Sequence, residues 1–87
     1  MIGLTKVAAL DYAARGIRVN AVAPGYVDTP LLAERGDRER AEIASRHPLQ
    51  RMAQSNEIAS AIVYLLSDDA SFVNGTVFDV DGGYLAR

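Results

Sequence analysis

The residues best placed to do chemistry lie in one short stretch, Pro24-Gly25-Tyr26-Val27-Asp28-Thr29-Pro30. A β-branched, almost continuously apolar run over residues 17–23 precedes it and reads as a strand, so Pro24 and Gly25 stand where that strand ends. In open α/β sheets, ligands bind outside the carboxyl ends of the strands. Proline stiffens such an exit, and glycine, lacking a Cβ, lets backbone come close to a flat ring. Thr29 carries a hydroxyl that can serve a ligand, and it can equally cap a helix whose first residue is Pro30. His47 is the only imidazole, and no neighbour in sequence marks it as a base. One histidine and no cysteine make no zinc ligand set, so no metal is expected.

The elements that position these residues must come from a small chain. At 87 residues there is room for one domain or part of one. Apolar residues at 49% and charged residues at 23% are a globular balance. A formal net charge of −2, with acids and bases interspersed, provides no broad basic face for nucleic acid and no polybasic patch for lipid. The longest strongly apolar stretches fall far short of the ~20 residues a membrane-spanning helix needs. The N-terminus also lacks the order of a signal peptide. The expectation is a soluble, cytoplasmic protein with neither nucleic-acid nor membrane partners.

Along the chain, small and apolar residues at helical spacing predict a helix over residues 1–15, with an Asp11 and Arg15 surface pair and Gly16 as its left-handed stop. No capping residue precedes Ile2, so the helix starts abruptly. The strand over residues 17–23 suits burial on both faces of a parallel sheet. A broken, polar, lid-like segment follows, helical from Pro30, restarted with Asp37 as cap, and ended by Arg46-His47-Pro48. The charges of residues 35–40 read as a solvated face. Ile58, Ile62, Leu65 and Leu66 form one stripe of a helix over residues 56–67, capped by Gln54 or Ser55. Asn74-Gly75 is a turn, residues 77–80 a short strand, and Asp81-Gly82-Gly83 a tight loop. Helix, strand, helix, strand is the order of a right-handed crossover unit. Two parallel strands leave the outer edge of the first as a surface for another strand.

Three stretches in this order resemble one family. The first runs from Ile2-Gly3-Leu4-Thr5-Lys6 through Gly16-Ile17-Arg18-Val19-Asn20 to Ala23-Pro24-Gly25 and Val27-Asp28-Thr29-Pro30. The second is Pro48-Leu49-Gln50-Arg51-Met52 with Glu57-Ile58-Ala59 and Leu65-Leu66-Ser67; the third is Gly75 with Val80-Asp81-Gly82-Gly83. Together they resemble the C-terminal part of a short-chain dehydrogenase/reductase. The resemblance implies an α/β fold, a doubly wound nucleotide-binding domain of which residues 1–87 form the last two parallel strands, their helices and the lid. It implies NAD or NADP as cofactor, hydride transfer between a small-molecule alcohol and a carbonyl, and a homo-oligomer. Pro24 and Gly25 belong to the implied cofactor loop, with the backbone of Val27 and the hydroxyl of Thr29 on the nicotinamide carboxamide. Tyr26, Leu31, Leu32 and His47 border the substrate if the lid folds as in the family; the alternative, that they only pack the lid, stays open. Arg18, Asn20, Asp79 and Asp81 are expected to tie strand ends and the terminal loop.

The chain also departs from the family. Gln50 stands where glycine is usual, and Ser55-Asn56 replaces a common Pro-Glu. No tyrosine has lysine four residues later, and no glycines have the phosphate-binding Gly-x-x-x-Gly-x-Gly spacing. No catalytic residue is therefore assigned. Met1 reads as an internal methionine, and the 87 residues as a piece without turnover of its own. The alternative is a truncated remnant that acts as an interaction module.

Overall fold

The computed structural model describes residues 2–87. Helix α1 spans Ile2–Tyr12 and tightens into a 3₁₀ turn at Ala13–Arg15. Gly16, at φ 78°, then reverses the chain, a conformation that costs a residue with a Cβ. The helix was expected from Met1, which lies outside the described residues. Arg15 lies over the Tyr12 ring and makes no ion pair with Asp11. Only Thr5 and Ala9 of this helix are buried, while Ile2, Leu4, Val7 and Leu10 are exposed. Polar bonds hold it instead: Lys6 Nζ donates to Gly75 O, and Asn74 Nδ2 donates to Ala9 O at 3.2 Å.

Strand β1 is Ala21–Pro24, shorter than the expected 17–23. The missing residues satisfy their polar groups by other means. Val19 N–H donates to Asn74 Oδ1, and Asn20 bonds Val73 O and Thr76 N–H through its amide. The Arg18 guanidinium donates to the carbonyls of Ser67 and Val73. The tying role expected of Arg18 and Asn20 is met. Side-chain bonds of this kind compete with a backbone ladder. β1 pairs in parallel with β2, Val77–Val80, in the register Ala21 to Val77 and Pro24 to Val80. The expected burial of the strand on both faces is not found: its residues are half-buried and Pro24 is exposed. Each strand keeps one unpaired edge among the described residues, and the helices on hand leave the faces of so narrow a sheet only half covered.

The crossover from β1 to β2 carries the lid and the long helix. Helix α2 is Pro30–Ala33 and α3 is Asp37–Ser45. Gly36, not Asp37, occupies the cap position of α3; Asp37 sits in the first turn, where a carboxylate opposes the helix dipole. The charged face is solvated in part, with exposed Arg35–Glu39 and Arg38–Glu42 pairs; Arg40, expected on it, is half-buried instead and pairs with Asp28. Leu32, Ile43 and Met52 form the small core of this segment. An isolated parallel bridge between Val27 and Ala53 closes it. Helix α4, Ser55–Leu66, begins after Gln54, whose N–H donates to the Glu57 carboxylate at 2.9 Å. Of its apolar stripe Leu65 is buried, but Ile62 and Leu66 are exposed. After β2, Gly82 and Gly83 take φ 59° and 92°, and the chain ends in a 3₁₀ turn at Tyr84–Ala86. Asp81 ties that loop by accepting from the N–H groups of Gly83 and Leu85.

Candidate functional site

The carboxyl ends of β1 and β2 meet the lid at Gly25. Its N–H donates to Val80 O at 3.0 Å and carries the ladder one residue beyond β1. A Cβ built on Gly25 would lie 2.9 Å from His47 Nε2 and 3.1 Å from Asp81 Cα. Glycine was expected here to admit a flat ring; the close approach found is the protein's own, from the lid and the loop after β2.

His47 is buried, with 2% of its surface exposed, and is not a surface histidine. Its Nδ1 lies 3.0 Å from Ile43 O, and its Nε2 lies 3.2 Å from Tyr26 N. A carbonyl accepts and an amide donates, so the imidazole with its proton on Nδ1 meets both partners at once. The ring sits between two tyrosines, edge-on to Tyr26 at 5.9 Å and tilted against Tyr84 at 5.4 Å. The turn that presents it is braced: Leu49 N–H donates to Gly82 O, and Gln50 N–H to His47 O at 2.7 Å.

Val27 and Thr29 follow on the same strand-like path. In the bridge to Ala53, the bonds are made by Val27's neighbours: Ala53 N–H donates to Tyr26 O, and Asp28 N–H to Ala53 O. Extended backbone alternates, so the N–H and C=O of Val27 itself point the other way. Neither meets a protein partner among the described residues. Thr29 has the extended backbone of a cap, φ −115° and ψ 165°, yet its hydroxyl makes no cap bond. Its carbonyl alone starts α2, accepting from the N–H groups of Leu32 and Ala33. Asp28 is held from the lid side by Arg40 at 3.0 Å.

Two recesses open beside Gly25 and Tyr26, and neither is lined by Val27 or Thr29. A cleft of about 250 Å³ is walled by Gly25, Tyr26, His47, Leu49, Asp79 and Gly82 among others. A neighbouring groove of about 390 Å³ is lined by Pro24, Gly25, Tyr26, Asp81, Tyr84 and Leu85. Pro24, Gly25, Tyr26 and His47 are thus brought together. Leu31 is 76% exposed and lines neither recess, and Leu32 is buried in the lid core. Asp79 makes no bond to the terminal loop and contributes to the cleft wall instead. Tyr84 was not singled out from sequence; its one signal is its place directly after Asp81-Gly82-Gly83. At the cleft's far side Arg51 grips Glu57 through two bonds of 2.7 and 2.9 Å. Those bonds, with the Gln54 N–H, hold the Glu57 carboxyl well below its ordinary value, at about 2. Among the described residues no three His, Asp or Glu side chains are grouped to hold a metal, and no helix is long and apolar enough to cross a membrane.

A parallel crossover of two strands with packed helices is the fold the sequence resemblance implied. A family model described as enoyl-(acyl carrier protein) reductase matches residues 1–85. The chain belongs to the short-chain dehydrogenase/reductase family. Within it, the chain is 58% identical over 83 residues to cis-4-hydroxycyclohexanecarboxylate dehydrogenase of Sinomonas cyclohexanicum, a match covering 95% of the chain and 33% of the relative. It is 53% identical over 85 residues to cyclohexanol dehydrogenase of Acinetobacter sp. (strain SE19), covering 98% of the chain and 33% of the relative. The crystal structure of a short chain dehydrogenase family protein from Francisella tularensis superposes with a TM-score of 0.91 at 38% identity, over 99% of this chain and 40% of that one. The chain therefore spans about a third of the length of the curated relatives it matches. Its α/β fold, with two parallel strands and packed helices, is part of the doubly wound sheet of this family.

Proposed function

We propose that this chain supplies the nicotinamide end of the cofactor site, and the lid over the substrate, to an NAD- or NADP-dependent oxidoreductase that interconverts a secondary alcohol on a six-membered carbocycle and its ketone. The observation that carries the reading is the unpaired set at Val27 and Thr29: one N–H, one C=O and one hydroxyl, just past the carboxyl end of a parallel strand. A primary carboxamide needs one donor for its oxygen and acceptors for its NH₂, and this set provides both. The Val27 N–H would donate to the carboxamide oxygen, and the Val27 carbonyl and Thr29 hydroxyl would accept from its nitrogen. When bound there, such a cofactor would supply the hydride that a carbonyl carbon accepts or take up the one that a carbinol carbon loses. Tyr26, beside both recesses, and the Pro24, Tyr84 and Leu85 surfaces give the substrate an apolar wall suited to a saturated ring. The ring class is supported by the two relatives above, both named for alcohols borne on cyclohexane. The 87 residues hold neither Tyr-x-x-x-Lys nor the phosphate-binding glycine motif, so the proton donor and the adenosine end of the site come from chain outside this sequence.

A second reading, a non-catalytic module that pairs with a complete relative, is favoured by the open strand edges and exposed apolar faces. The same surfaces support homo-oligomerisation of the enzyme. The experiment that separates the readings is to translate the gene in frame upstream of the Met1 codon and assay the natural product. The expected outcome is a Tyr-x-x-x-Lys just upstream and oxidation of NADH or NADPH by cyclohexanones in preference to acyl-carrier thioesters. An in-frame stop codon and no turnover would leave the interaction module; preference for the thioester would overturn the ring class.

A further inference from the structure

We propose that His47 is the positioning residue of the cofactor loop, acting through a single acceptor atom. This rests on the reading of Val27 and Thr29 above and deepens it. The loop that presents those groups leaves β1 at Gly25; besides the Arg40 pair on the Asp28 side chain, its backbone is fixed at two places before Thr29. One is the Val27 to Ala53 bridge. The other is the Tyr26 N–H, which has no backbone carbonyl to meet and donates to His47 Nε2. Without that acceptor the amide beside Gly25 is left unpaired in a half-buried site, and the Gly25–Tyr26 peptide is free to turn just ahead of the Val27 groups, while the next peptide stays held by the Ala53 N–H on Tyr26 O. His47 is built for the task. Its second nitrogen is fixed on Ile43 O, two tyrosine rings pack against it, and Gly25 is the residue that leaves it room. The strained turn at Gln50, φ 60°, returns an N–H and an amide nitrogen to His47 O, so the backbone of His47 is fixed as well as its ring. His47 lies 21 residues from Tyr26 and touches it from the lid. The lid and the cofactor loop are therefore one mechanical unit: seating the end of α3 fixes the Gly25–Tyr26 peptide through which the chain enters the Val27 bridge. The ring lines the cleft and can border a substrate, as the family resemblance implies, with both of its nitrogens engaged within the protein.

Two amide substitutions divide the ring's functions. In His47→Asn the side-chain NH₂ can still donate to Ile43 O but no acceptor reaches Tyr26. In His47→Gln an amide oxygen extends to about the position of Nε2. Both are to be made in the natural full-length enzyme, with Thr29→Val as the control for the cofactor loop itself. The expected result is a cofactor KM raised about tenfold in His47→Asn, with kcat changed far less, and restored to within about twofold of wild type in His47→Gln. A purely structural histidine would not distinguish the two amides. Equal cofactor KM values in the two variants overturn the proposal. Should His47→Asn fail to fold, His47→Gln decides alone, and a rise of about tenfold there overturns it. A raised cofactor KM in Thr29→Val with none in His47→Asn sinks only the positioning role; no change in either sinks the cofactor-loop reading beneath it.

Discussion

Gln50 holds a left-handed backbone, φ 60°, the one described residue other than glycine to do so. Its amide bonds the carbonyls of Ser45 and His47, which offsets part of the strain. A left-handed residue with a Cβ costs roughly 1–2 kcal/mol, and glycine's extra unfolded-state freedom takes back roughly half of that. Gln50→Gly is therefore expected to stabilise the fold by up to about 1 kcal/mol in a denaturant titration; a clear loss would show that the two amide bonds outweigh the strain. Glu57 offers a second residue-scale prediction. Its folded pKa of about 2 lies below the ordinary 4.5 because Arg51 and the Gln54 N–H bond the charged form. A depressed carboxylate stabilises the fold fully above the unfolded value, progressively less as pH falls from 4.5 towards 2, and not at all below that. The melting-temperature gap between wild type and Glu57→Gln should be constant at neutral pH and close across that window. The pair is solvent-exposed, so the gap is small. At this scale the sequence showed that Gln50 replaces a glycine but not that the position is left-handed. It offered His47 without its burial, because Tyr26 and Tyr84 reach it only after the chain has crossed the sheet.

Among the elements, the lid is the one that stands on least. Its core is Leu32, Ile43 and Met52, and apart from the half-buried Ala44 the rest of α2 and α3 faces solvent or carries charge. Ile43, 2% exposed, is the keystone, because its side chain joins the other two while its carbonyl takes the His47 Nδ1–H. Truncating a buried isoleucine to alanine costs about 2–5 kcal/mol, and a core of three has few neighbours to refill the space. In Ile43→Ala, hydrogen exchange should show lost protection over α3 while the amides bonded between β1 and β2 keep theirs. Uniform loss across the chain would mean that lid and sheet unfold together. Periodicity made α1, α4 and β2 legible to within a residue or two, because each follows one period without interruption. It overran β1, because Val19 and Asn20 look like strand residues in sequence but have their backbone and side-chain groups taken by the Asn74-Gly75 turn. The cap of α3 was misplaced onto Asp37 because glycine with extended backbone can serve that position without a side chain.

For the molecule as a whole, surface area decides the behaviour. A compact monomer of this mass exposes about 5,000 Å², whereas this chain exposes 6167 Å². Its radius of gyration is 15.5 Å, against about 12 Å for a compact domain of this length. The excess is apolar in large part: Leu4, Val7 and Leu10 on α1, Ile62, Val63 and Leu66 on α4, and Phe72, which is fully exposed. That surface was foreseeable from two strands that cannot make a sheet with covered faces, though not its extent, since the α1 pattern reads as an ordinary packed helix. Exposed apolar area is worth roughly 25 cal/mol per Å² when buried, and the unpaired strand edges add hydrogen-bonding sites to the same drive. The 87 residues alone should therefore self-associate. Sedimentation velocity over a range of concentrations is expected to show mass rising with concentration, and replacing Leu4, Val7 and Leu10 by glutamine should move the distribution towards monomer. If the glutamine variant associates as strongly as the parent, the strand edges rather than α1 drive assembly. A monodisperse monomer with one cooperative unfolding transition would refute self-association outright, and would mean that the lid core and the two-stranded sheet suffice to hold this chain by themselves.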